Sequence, residues 1–525
     1  MFRVDVWLRR GACLLALALA GCGADGGGAM DGPPLTVLAG SELKDLAPLQ
    51  QDMARAAGAP IEFTYTGSLD AVERLVSGEA FDAVWVSHGK YLQQTEALKP
   101  RIRASERTMA SPVILGVKQS KARALGWVGT EPTWAQIAQA AASGQLAYAM
   151  TSPAASNTGF TALVGVASAL AGTGDALDEA AVNSERLADL FKGQAFIAGS
   201  SGWLADAYVQ RQDALDGLIN YESVILQLNA SGQLQEPLVP IYPREGIVTA
   251  DYPLMLLNDA RRDAYNRLVA WLRQPEVQAR ISKQTSRRPV VPGVAPAAGI
   301  PDRVLVELPF PASRGVLDAL IDAYQARLRK PASTFFVVDT SGSMAGDGLT
   351  QLQASLDGLT GGDTTLSGRF ARFQPRERIY IMPFSSAPGT PLVVELPPSG
   401  TDAEPALERL RTFNDRLQAD GGTAMFASVR QAYLDALAAR RHAPGRQYGI
   451  VVMTDGQNRD GLSEAEFLVW YGGLPEADKG IPVFALLFGE ASAEQLEQLT
   501  QATGGRVFDG RHDLRAAFKA IRGYL

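Results

Sequence analysis

Phe335-Phe336-Val337-Val338-Asp339-Thr340-Ser341-Gly342-Ser343 decides the fold of the C-terminal part of this 525-residue chain. Four apolar residues in a row suit a strand covered on both faces, as in a parallel sheet. The run ends in a carboxylate, followed by hydroxyls on alternate residues. After a Gly-containing loop comes a helical pattern, with Leu349, Leu352, Leu356 and Leu359 spaced by 3, 4 and 3. A strand feeding a helix through such a loop places the loop at the carboxyl edge of an open α/β sheet, where ligands gather.

Two further segments repeat the arrangement. Ile450-Val451-Val452-Met453 reads as another buried strand and delivers Thr454-Asp455-Gly456, while Gly421-Gly422-Thr423 precedes a helix with Phe426, Val429, Tyr433 and Leu437 on one side. The candidate ligands Asp339, Ser341, Ser343, Thr423 and Asp455 offer only oxygens, two carboxylates and three hydroxyls. Hard donors of this kind favour Mg²⁺, or Mn²⁺ as a substitute, and Mg²⁺ keeps exchangeable waters that an acidic group on a partner can replace. One such loop alone would read as a helix cap; three in matching settings read as a site. A phosphotransferase with an Asp-x-Asp strand end is excluded, because Ser341 at the second position cannot act as an acid at neutral pH. The DTSGS run, with Thr423 and Asp455 in this order, resembles the metal-ion-dependent adhesion site of von Willebrand factor type A (VWA) domains. The resemblance covers residues 333–525, taking in the strand Pro482–Phe488, the stretch Ala502–Phe508 and a closing helix with Leu514, Phe518 and Ile521. It implies a Rossmann-like fold in which Ser341, Ser343 and Thr423 contact the metal, while Asp339 and Asp455 act directly or through water.

Working towards the N-terminus, Pro289 to Pro311 is Pro-rich and marks a boundary. Residues 306–332 read as a linker with a helix-like segment from Val316 to Leu328. Before it, residues 35–305 alternate short apolar strands (Leu35–Leu38, Phe81–Val86, Pro112–Val117, Ala147–Met150, Gly217–Asn220) with helices such as Ala260–Ile281, a second α/β body. Its segments Leu38-Ala39-Gly40-Ser41-Glu42-Leu43, Tyr65-Thr66-Gly67-Ser68, Thr151 to Gly159, Asn220-Tyr221 and Asp251-Tyr252-Pro253-Leu254 resemble those of type II periplasmic solute-binding proteins. The resemblance implies a two-lobed, periplasmic-binding-protein-like domain. By position, Ser41 and Ser68 would serve the first lobe, Ser156 and Asn157 the second, and Tyr221 the hinge. Serines that open helices bring backbone N–H groups to a solute, although Ser, Asn and Thr there cap helices equally often. No Arg or Lys stands within these loops, which leaves an uncharged solute, an oxyanion held by neutral donors, or none.

The chain begins with Arg3, Arg9 and Arg10, followed by nine apolar residues, Ala12 to Ala20. Nine helical residues rise about 14 Å, half a bilayer core, which describes a secretory signal rather than a permanent span. Leu19-Ala20-Gly21-Cys22 resembles the lipobox of bacterial lipoproteins, implying cleavage after residue 21 and lipidation of Cys22. Residues 22–34 then read as a Gly-rich flexible tether. Gly23 after the cysteine implies, by the sorting rule of that family, the outer membrane of a double-membraned bacterium.

Composition narrows the function. The net charge of −7 gives no general attraction for phosphate backbones, so nucleic acid is not expected as a partner. Both cysteines, Cys13 and Cys22, lie in the leader region, and the three histidines, His88, His442 and His512, are too scattered for a zinc centre or a Ser–His–Asp system. With no catalytic set in view, the sequence points to a non-enzymatic binding protein held to a membrane by lipid. Its metal would meet an acidic residue of a protein partner, beside a domain for a small solute. The alternative is the receptor of an ABC-type importer with the VWA domain as an accessory.

Overall fold

The computed structural model describes residues 32–171, 177, 185–311, 313–398, 402–489, 491–511 and 513–525, and, within helices, not the side chains of Ser68 and Leu366. The leader and Cys22 lie outside the described residues. The N-terminal body has two lobes, each built on a mixed sheet. In the first lobe the strand order is Ile61–Thr66, Leu35–Gly40, Ala83–Trp85, Pro253–Leu256 and Ala104–Arg107. In the second it is Thr249–Ala250, Ser111–Lys118, Gly217–Tyr221, Tyr148–Thr151 and Gln194–Ala198, with Leu238–Ile241 also paired to Ser111–Lys118.

The chain crosses between lobes at residues 108–110 and 251–252. Trp85, fully buried, pins the two crossings together: its indole N–H reaches Thr108 Oγ1 at 3.0 Å and Tyr252 O at 3.1 Å. Tyr252 sits at φ 44°, a left-handed conformation that is costly for a bulky side chain and is held here by its packing. The expected helix Ala260–Ile281 is in fact two helices, Arg262–Leu272 and Pro275–Thr285. Pro275 has no N–H to continue the first helix and is preorganised to start the second.

The region between the bodies is packed. Ser313 caps the helix Arg314–Ala323, which continues as a wider turn, Tyr324–Leu328. Val316, Leu317, Leu320, Ile321 and Tyr324 are buried in the same core as the two lobes.

The C-terminal body carries one six-stranded sheet in the order Leu392–Glu395, Arg378–Phe384, Ala332–Asp339, Gln447–Thr454, Val483–Leu487 and Val507–Asp509. All pairs are parallel except the first. The period of two in a strand sends Phe336 and Val338 to one face, with helices Asp347–Asp357, Glu404–Asp415 and Leu514–Arg522. It sends Phe335 and Val337 to the other, with helices Met425–His442, Glu464–Gly472 and Ala493–Thr503. Burial on both faces is what the unbroken apolar run required. Ala332–Asp339 and Gln447–Thr454 are neighbours in space and far apart in sequence, so strand order reverses between them and opens a crevice beyond their carboxyl ends.

Candidate metal centre and solute cleft

Asp339 is the last residue of its strand and is fully buried. Its Oδ1 accepts the Ser341 backbone N–H at 2.8 Å and its Oδ2 accepts the Thr454 hydroxyl at 2.6 Å. One carboxylate thus ties the two central strands together at the sheet edge. Ser341 Oγ lies 3.1 Å from Ser343 Oγ, and Ser343 donates to Asp455 Oδ1 at 2.9 Å. The Gly342 N–H donates to Gly421 O at 3.0 Å and brings the Thr423 loop alongside. A methyl group placed on Gly456 would lie 3.6 Å from Ser343 Oγ and 3.7 Å from Thr423 Oγ1, so both hydroxyls flank that glycine. All five expected residues gather at the crevice.

The residues present fit a hard divalent cation. Burial pushes the Asp339 carboxyl above its ordinary value, hydrogen bonds from Thr454 and Ser341 oppose this, and repulsion from Asp455 adds to it. A cation between the carboxylates would offset both costs. Two supporting residues escaped the sequence reading. Thr454 anchors Asp339, and Asp460 fixes the Thr423 loop by accepting the Thr423 N–H at 2.9 Å. Thr454 was visible as the end of an apolar run; nothing in the spacing marks Asp460.

A cavity of about 760 Å³ opens between the two N-terminal lobes. Ser41, Glu42 and Gly67 line it from the first lobe, and Ser156, Asn157 and Ser200 from the second. Ser41 opens a 3₁₀ segment, Ser41–Leu49, so fewer backbone N–H groups align there than an α-helix would offer. Asn157 opens a regular, almost wholly buried helix, Asn157–Ala171. Ser68 opens the helix Ser68–Val76, and its side chain lies outside the description. Tyr221 is buried behind the cavity, where its hydroxyl donates to Ser87 Oγ at 2.8 Å and ties one lobe to the other. Among the described acceptors that line the cavity, Glu42 Oε1 and Asn157 Oδ1 are buried with no hydrogen-bond partner. Burial also raises the Glu42 carboxyl above its ordinary value, against its own backbone N–H and the Arg287 charge. Buried acceptors in this state call for a donor from a solute or an ordered water.

Residues 35–284 match the family model of bacterial extracellular solute-binding proteins, and residues 334–457 match that of von Willebrand factor type A domains. The chain is a solute-binding domain followed by a VWA domain. The periplasmic binding protein AfuA of Actinobacillus pleuropneumoniae, solved with fructose-6-phosphate, is 14% identical, with TM-score 0.44 over 56% of this chain and 98% of that one. A ferric binding protein from Campylobacter jejuni is 13% identical, with TM-score 0.42 over 55% and 95%. No curated protein matches the chain significantly.

The VWA domain also walls the solute cleft. Arg506, Lys519 and Tyr524 line the same cavity as Ser41 and Asn157. Cationic side chains reach the cavity from both sides, Lys44 and Arg74 from the first lobe and Arg506 and Lys519 from the C-terminal body. Reading each domain separately could not reveal the latter pair, because they belong to another fold some 450 residues downstream of Ser68.

Proposed function

We propose that this chain is a lipid-anchored, extracytoplasmic, non-enzymatic binding protein whose VWA domain takes a protein partner through Mg²⁺, with Mn²⁺ able to substitute. The observation that supports this reading is the run of hydrogen-bonded oxygens from Asp339 through Ser341 and Ser343 to Asp455, with Thr423 beside it. When bound, the cation supplies a positive centre for a carboxylate of the partner. Asp339 and Thr454 hold the two strand ends in register, and Asp460 holds the Thr423 loop. The solute-binding domain takes a small solute in the inter-lobe cleft, where Glu42 Oε1 and Asn157 Oδ1 favour hydroxyl or amine donors. Leu19-Ala20-Gly21-Cys22 supports the anchor, at the periplasmic face or cell surface.

Titration calorimetry of MgCl₂ into the full-length protein tests the metal. Saturable binding is expected, and it is lost in Asp339→Ala and in Asp455→Ala; binding that survives in Asp339→Ala defeats the reading. Affinity capture of partners in Mg²⁺ but not in EDTA extends the test to the proposed protein ligand. The orphaned acceptors in the cleft favour a second reading, the receptor of an ABC-type importer. Both readings expect a thermal shift with a small solute that disappears in Asn157→Ala; the importer reading alone fails outright if no solute produces one.

A further inference from the structure

The two solute-binding lobes touch at the edge of the cleft. A methyl group on Gly67 of the first lobe would lie 2.6 Å from Ala155 O of the second, so the two cleft loops touch. In a two-lobed binding domain the solute bridges the lobes and offsets the cost of closing them. Here the bridge comes from the VWA domain: helix Leu366–Ala371 packs on Ser68–Val76 of the first lobe, Lys519 of the terminal helix Leu514–Arg522 reaches Glu73 there, and Gly523 and Tyr524, just beyond that helix, meet the second lobe.

On the first-lobe side, Glu73 accepts the Ser367 N–H at 2.8 Å and lies 3.4 Å from Lys519 Nζ, which is 2.8 Å from Asp363. Burial works against the charge on Glu73, yet Ser367 and Lys519 hold its carboxyl below its ordinary value. On the second-lobe side, the approach is too close for any side chain. A methyl on Gly199 would lie 2.1 Å from the Tyr524 ring, and one on Gly523 would lie 2.5 Å from Ala155 Cβ. Trp203 meets Tyr524 edge-on, with ring centroids 4.7 Å apart.

We infer that the terminal helix of the VWA domain is a clasp across the solute cleft, holding the lobes closed from outside. Opening the cleft and displacing this helix are then one equilibrium, so any ligand that favours one state favours the corresponding state of the other domain. The cavity wall contributed by Arg506, Lys519 and Tyr524 belongs to the same arrangement, so displacing the clasp also removes part of that wall. The inference rests on reading the cleft as the solute site; the contacts that make the clasp do not.

The test measures lobe separation in the full-length chain, with Cys13→Ser and Cys22→Ser to remove native thiols and spin labels at Glu62→Cys and Gln145→Cys, one exposed site on each lobe. Pulsed electron–electron resonance is expected to give one narrow distance distribution. Gly199→Ala wedges the clasp from the solute-binding side by pressing on the Tyr524 ring, and Lys519→Ala severs its contact with Glu73. Each is expected to move the distribution to longer distances by more than about 2 Å. If both variants keep the parent distribution, the clasp does not exist. Should Lys519→Ala fail to fold, Gly199→Ala alone decides. A solute panel that shifts the melting of neither the parent nor Gly199→Ala overturns the solute reading separately, whatever the lobes do.

Discussion

His88 shows how one residue can set an acid limit. It is buried, its ring stacks on Phe310 at 4.5 Å, and its Nδ1 accepts the Lys90 N–H at 3.4 Å, an arrangement that needs the neutral imidazole. Burial first, and the Lys90 charge second, lower it from an ordinary 6.5 to about 4. Between those values the unfolded chain binds a proton that the folded chain refuses, so stability falls as pH drops from 6.5 toward 4. The full loss is about 3 kcal/mol, at 1.36 kcal/mol per unit. His88→Asn retains an acceptor and does not titrate, so urea unfolding at pH 7 and pH 4.5 should differ less in it than in the parent. An unchanged pH slope in that variant would show that the imidazole is not responsible.

Between elements, a buried charge cluster joins the linker helix, the sheet and the chain terminus. Glu377, at the start of the strand Arg378–Phe384, accepts from Arg522 Nη2 at 2.9 and 2.7 Å and also pairs with Arg329, which reaches Leu525 O. All three charged side chains are buried. Glu377→Ala would strand two guanidinium groups and is expected to cost about 3–5 kcal/mol, measurable as a lower urea midpoint; a change under 1 kcal/mol would mean that water reaches the cluster. This cluster was not legible in the sequence, because Glu377, Arg329 and Arg522 have no spacing in common and read singly as solvated charges. The elements themselves were more legible. Apolar runs of β-branched and aromatic residues located the strands Ala332–Asp339 and Gln447–Thr454, and with them the loops that carry Asp339 and Asp455. Reading Arg262–Leu272 and Pro275–Thr285 as one helix overlooked Pro275 and the change of apolar phase between Leu272 and Val277, both of which mark the break. Periodicity could not show that Ser41 opens a 3₁₀ rather than an α-helical turn. The candidate metal residues were legible because they lie in loops that follow a buried strand or precede a helix; the cleft walls were missed where they come from another domain.

For the molecule as a whole, the boundaries between domains are not boundaries between cores. Phe370 of the VWA domain and Leu317, Leu320 and Ile321 of the linker helix belong to the core that joins the two lobes. Trp203 of the second lobe packs in turn against Phe484 and Tyr524 of the VWA domain. Shared apolar packing of this kind makes one domain's unfolding expose the other's surface, which is the condition for a single cooperative transition despite the length of the chain. Scanning calorimetry of the full-length protein should therefore show one peak. Mg²⁺ at 100 times its dissociation constant should raise the stability of the whole unit by about 2.7 kcal/mol, because a ligand of the native state stabilises everything that unfolds with it. Gly199→Ala, which forces the Tyr524 ring away from the second lobe, should divide the peak in two, leaving the Mg²⁺ effect on the VWA transition alone. Two peaks in the parent, with Mg²⁺ moving only one, would mean that the domains melt independently and that their contact carries too little free energy to couple them.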